Sequence, residues 1–257
     1  MPAPNVTARK PAAKPRMTLA EVMDELARSG SEQTRKTYAR HGAAEPMFGV
    51  SFATLKALMR RIGVDHDLAL ALWETGNYDA RNLAVKIVDP PRLSSAELDR
   101  WAHEASAGCY YTDSLAAEGP LGAQKLSEWL AARDERTRAA GWTLLGTLAQ
   151  RDATLPDALF AERLAEIARN IHEAPNDERE AMNDAVIAIG CRSAALREAA
   201  LDAAMRIGKV EIDHGDTACK TREAATYIAK AWEHSTSKGF ESPAAHERTR
   251  EVPRRRC

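Results

Sequence analysis

Four side chains with metal-ligand chemistry crowd one short stretch, Asp213, His214, Asp216 and Cys219 in KVEIDHGDTACKTREA. Zinc accepts imidazole, thiolate and carboxylate, but its structural sites space their ligands in recurrent pairs that this stretch lacks. The segment reads instead as a turn, with Thr221 capping the next helix, and no metal is assigned. Cys191 and Cys219 have no neighbouring base to form a reactive thiolate, and with Cys109 and Cys257 they make no CxxC pair or disulfide framework. Asp113 directly follows the Tyr110-Tyr111-Thr112 run, and taken alone it is a surface or helix-capping carboxylate. Arg81 lies eight residues after Trp73, and Arg138 nine after Trp129. Each arginine could hold a phosphate or brace neighbouring helices, and Arg138 has Asp134 and Glu135 within reach for a local ion pair. Trp73, Trp129 and Trp142 are read as core residues between packed helices.

The elements that position these groups are helical. Of 257 residues 49 are Ala and only 14 are aromatic, a composition that favours closely stacked helices and excludes a β-sandwich. Thr18 with Glu21 forms a capping box, and Ser51, Asp65 and Ser94 or Ser95 are further start signals. Apolar residues recur at helical spacing, as in Phe52, Leu55, Leu58, Met59 and Ile62, and Gly30, Gly42, Gly63 and Asp89-Pro90-Pro91 stop their helices. About thirteen helices with short connections follow, and no strand is convincing. LALALWETGNYDARNLAVKIV and KLSEWLAARDERTRAAGWTLLGTL share one plan, an apolar helix, a polar turn, then an Arg and an Ala-rich helix. Such pairs bury their faces only by stacking on neighbours, which predicts an all-α solenoid of HEAT-like repeats, curved with a concave binding face.

Charge is unevenly spread. The chain's net charge is −1, with +4 on residues 1–18 and +3 on residues 245–257, leaving −8 on the body between them. The Pro- and Ala-rich ends have little to bury, so disordered basic tails are expected over 1–16 and 235–257, flanking a repeat domain over 17–234. No run approaches the roughly 18 to 20 apolar residues of a membrane span, and the N-terminus shows no secretory core, so a cytoplasmic protein without membrane partners is expected.

Over about residues 17–233, FGVSFATLKALMRRIG, LALALWETGNYDARNLAVKIVDP, the YYTDSLA helix and SEWLAARDERTRAAGWTLL occur in an order and spacing that resembles the DNA alkylation repair proteins. These are alkylpurine DNA glycosylases built from HEAT-like repeats. The stretch from EREAMNDAVIAIG to HGDTACKTREAATYI is similar to a subgroup signature of that family. The resemblance implies a C-shaped molecule that grips duplex DNA on its concave face and excises cationic N3- or N7-alkylpurines without base flipping and without a cofactor. In that mechanism a carboxylate and electron-rich indole faces stabilise the cationic sugar as the glycosidic bond breaks, while an arginine holds the backbone. Asp113 falls at the catalytic carboxylate, Arg138 at the phosphate-binding arginine, and Arg81 at the matching repeat position for a second phosphate. The family's two tryptophans are replaced by Cys109 and Asp184, which leaves Tyr110 and Tyr111 as the candidate aromatic lesion contacts. The expectation is therefore a repair protein that binds duplex DNA, alkylated duplex included, with alkylpurine excision as its chemistry. The alternative is a catalytically inactive scaffold that binds DNA or protein. Aromatics around Asp113 favour the first, and an acidic, aromatic-poor groove favours the second.

Overall fold

A computed structural model describes residues 16–105 and 112–256. Among these residues fourteen α-helices are found and no strand, the one β-type pairing being an isolated bridge from Gly30 to Val50. The helices are α1 (Leu19–Ser29), α2 (Glu32–Arg40), α3 (Phe52–Ile62), α4 (His66–Glu74), α5 (Tyr78–Ile87), α6 (Ser95–Glu104) and α7 (Thr112–Ala117). They continue as α8 (Gly122–Leu130), α9 (Glu135–Arg151), α10 (Asp157–Asn170), α11 (Asn176–Gly190), α12 (Ala194–Ile207), α13 (Ala224–Thr236) and α14 (Pro243–Arg248). Successive helices pack as pairs, α4 with α5, α8 with α9 and α11 with α12, and α9 lies along α11. One apolar core runs from Val22 in α1 to Trp232 in α13, as stacked repeats require.

The helix starts follow the capping chemistry. Thr18 and Glu21 form the reciprocal box, Ser94 and Glu97 form a second, and Ser51 and Asp65 each accept a bond from the third residue of their helix. Helix α5 is capped by Asn77, which accepts from the amides of Asp79 and Ala80, and this leaves the Asp79 carboxylate for another task. That carboxylate is fully buried and accepts the amides of Phe48, Gly49 and Val50 at 2.6, 3.0 and 2.8 Å, tying the turn before α3 to the start of α5. Gly49 has φ +80°, and a Cβ there would lie 2.5 Å from the Ser31 carbonyl oxygen, so this turn requires glycine. Helix α13 is capped by Glu223 rather than Thr221, whose hydroxyl instead bonds His214 Nε2 at 3.2 Å.

The C-terminal segment also departs from expectation. The N-terminal one lies outside the described residues except at Arg16, 3.8 Å from Asp65. At the other end, Ser242 caps α14, residues 254–256 form a 3-10 turn, and Arg255 is buried. The C-terminal charges that suggested a solvated tail are instead paired: Glu247, within the segment itself, receives Arg250 and Arg254, and Glu118, on the body, receives Arg255. No helix among the described residues is long and apolar enough to cross a membrane.

Candidate functional site

A cleft of about 1030 Å³ runs along the inner helices α5, α7, α9 and α11. Asp113, the second residue of α7, is on it, beside a polar stripe of α9 made by Thr143, Thr147 and Gln150. Burial raises the Asp113 carboxyl to about 7, and hydrogen bonds from the Thr112 and Thr143 hydroxyls offset only part of that rise. The side chain is half-buried rather than sealed, so water reaches a group that is surrounded by protein and charges near neutral pH.

The opposite side of the cleft is acidic. Asp177, Glu180 and Asp184 line it from α11. Asp184 stands where the resemblance leads one to expect an indole, and both its oxygens accept from Arg222 Nη1 at 2.9 Å. Burial and Glu180 raise the Asp184 carboxyl while Arg222 lowers it; burial, the largest cause, prevails. Asn183 is buried and donates to the Arg222 carbonyl, so this stretch of α11 fixes the segment leading into α13. Tyr110, Tyr111 and Cys109 lie outside the described residues. Among the described residues the aromatic side chains lining the cleft are Tyr78 and Trp142, both buried.

The two arginines assigned to phosphates are instead bound into the protein. Arg138 does not line the cleft: Nε donates to both Glu178 oxygens, Nη1 to the carbonyls of Ala132 and Arg133, and Nη2 lies 3.0 Å from Glu178. Glu178 is buried and also accepts the Trp142 indole N–H, so the three residues form one unit between α9 and α11. Arg81 borders the cleft, but its guanidinium sits 4.7 Å from the Trp73 ring centroid and binds Glu104 and the Trp73 carbonyl. Trp73 itself donates to Glu104 and stacks on Trp101 at 4.1 Å. A third unit joins Trp129 and the fully buried Lys125 to Asp99. Each unit is a structural joint in which an indole N–H and a cation meet one carboxylate, and only in the Trp73–Arg81 unit do the Trp and Arg of the shared sequence plan meet the same carboxylate.

The cation that sequence reasoning missed is Arg136. It lies two residues, or about 200° of helix, from Arg138, so when Arg138 turns into the protein Arg136 turns to the cleft. Arg136 is exposed and, among the described residues, has no ion-pair partner. The DERTR stretch shows only that the two arginines face apart; which of them faces inward is set by Glu178, 40 residues on, and was not legible.

The 211–219 loop holds no ligand cluster. Asp213 binds the amide of Gly215, its own amide is held by Asn176, and the His214 carbonyl accepts from Thr217. No group of three or more candidate metal ligands exists among the described residues. Cys191 is buried, which pushes its thiol up to about 11, while Cys219 is exposed.

With a helical repeat fold and a concave carboxylate-bearing cleft in place, residues 22–228 match the family model for DNA alkylation repair enzyme, and the chain belongs to that family. Lin0241 of Listeria innocua and Lmo0209 of Listeria monocytogenes, both uncharacterized proteins, are 27% and 26% identical over 227 and 224 residues. Each alignment takes in 84% of this chain and 97% of the relative. A solved structure is similar with a TM-score of 0.78 and 29% identity, covering 88% of this chain and 98% of its own. It is described as representing a new family of proteins related to the HEAT-like repeat DNA glycosylases with affinity for branched DNA structures.

Proposed function

We propose that this protein is a DNA-binding member of the alkylation repair family that recognises DNA structure, branched DNA in particular, and does not excise alkylpurines. The observation that carries the proposal is the Asp184–Arg222 pair at the place of an expected indole. A carboxylate held by an arginine offers no π face to a cationic sugar, and its charge is already engaged. The carboxylates that line the cleft from α11 repel phosphate, so a DNA backbone is held by exposed cations of the lining such as Arg136. The preference for branched DNA is supported by the solved relative, which shares nearly its whole length with this chain.

A second reading, alkylpurine excision, is favoured by Asp113, a cleft carboxyl that ionises close to neutral pH. Stabilising an oxocarbenium-like sugar requires the ionised form, so excision by this residue rises with pH through about 7. Single-turnover release of N7-methylguanine from duplex DNA, with a characterised glycosylase as positive control, decides between the readings. The proposal expects no release above the enzyme-free rate. Excision by the wild type that Asp113→Asn abolishes would establish the second reading.

A further inference from the structure

Helix α5 ends at Asp89-Pro90-Pro91, and this stop has a cost. Pro90 has no N–H, so the carbonyl of Lys86, four residues earlier, loses its helical donor. The Arg255 guanidinium fills that place: Nη1 donates to the carbonyls of Val85 at 2.7 Å and Lys86 at 3.2 Å. Its Nε donates to both oxygens of Glu118, just beyond α7, at 3.1 and 3.0 Å. The main chain is gripped as well, because the ammonium of buried Lys86 donates to the Arg255 carbonyl at 2.7 Å. Arg255 is 4% exposed and Glu118 14% exposed in their side chains, so this is an enclosed ion pair.

We propose that the gap between the end of α5 and α7 is an arginine-binding site whose ligand is the chain's own Arg255, making the C-terminal segment a clasp that closes one wall of the cleft. The site reads both parts of the ligand, a planar guanidinium through two carbonyls and a carboxylate, and a peptide carbonyl through Lys86. Neighbouring groups extend it: Arg254 pairs with Glu247 of α14, and Glu247 also lies 3.6 Å from Arg151 of α9. Arg254, Arg255, Glu118 and Glu247 all line the cleft. The clasp thereby neutralises Glu118, a carboxylate that would otherwise face a bound phosphate backbone. This last consequence rests on the DNA-binding reading, whereas the clasp itself does not. The segment also lies beyond residue 228, where the match to the family ends.

The test uses the full-length protein with Arg255→Ala, Arg255→Lys and Glu118→Gln, and follows limited trypsin digestion by intact mass. Trypsin cuts after arginine, and a docked segment is shielded. Cleavage between residues 248 and 256 is expected to quicken at least tenfold in Arg255→Ala, and several-fold in Arg255→Lys, which lacks the fork. Glu118→Gln leaves the tail sequence intact and is also expected to quicken cleavage several-fold, which keeps the test open if Arg255→Ala fails to fold. Wild-type cleavage rates in Arg255→Lys and Glu118→Gln would overturn the clasp whatever the protein does with DNA. For the wall, Arg255→Ala is expected to weaken junction DNA binding about tenfold, and adding Glu118→Gln to recover most of it. A double variant as weak as Arg255→Ala would overturn the neutralising role while leaving the clasp in place.

Discussion

Asp113 carries a measurable signature independent of any substrate. A carboxyl whose pKa rises on folding binds its proton more tightly in the folded chain, so ionising it costs stability. The penalty begins near pH 4, where the unfolded carboxyl ionises, and is complete above about 7. Asp113→Asn removes it. Urea unfolding is expected to show the variant more stable than wild type at pH 8, by up to about 4 kcal/mol, with the gain gone at pH 4. An equal difference at both pH values would place the carboxyl in ordinary solvent. Arg136 makes the complementary prediction, since an exposed cation with no internal partner contributes to binding and little to the fold. Arg136→Glu is expected to leave the thermal midpoint within a degree or two and to weaken DNA binding about tenfold in a fluorescence anisotropy titration, or about 1.4 kcal/mol.

Between helices, Arg138 behaves in the opposite way. Its guanidinium neutralises buried Glu178, which also holds the Trp142 indole, so Arg138→Gln leaves a carboxylate in the α9–α11 interface without its counter-charge. The expected cost is about 2–3 kcal/mol of unfolding free energy, read by denaturant titration, with DNA affinity of the folded variant changed less than threefold. A variant of normal stability that no longer binds DNA would return Arg138 to the phosphate. This is also where the sequence was legible and where it stopped. Helix positions followed from local signals, so the Thr18 and Ser94 capping boxes and the proline stop after α5 fell where their residues put them. The placing of Asp113 in a cleft followed from the resemblance. What could not be read was partnership across long separations: Arg138 with Glu178, Asp184 with Arg222, and Arg255 with Glu118, 137 residues apart. A basic tail and a buried basic clasp have the same composition, and only the carboxylate awaiting the arginine distinguishes them.

The paired helices and their continuous core support a cleft that, among the described residues, is aromatic-poor, bears the α11 carboxylates and includes the unpaired Arg136 in its lining. On the proposed DNA-binding reading the backbone and its shape are what such a surface recognises, so affinity is expected to fall steeply between low and physiological salt. The most direct test is equilibrium binding of the wild type to a four-way junction and to a linear duplex of the same arm sequence, at several salt concentrations. The junction is expected to bind at least tenfold more tightly at every salt concentration, with both affinities falling as salt rises. Equal affinity for the two DNAs, or no binding to either at low salt, would contradict it.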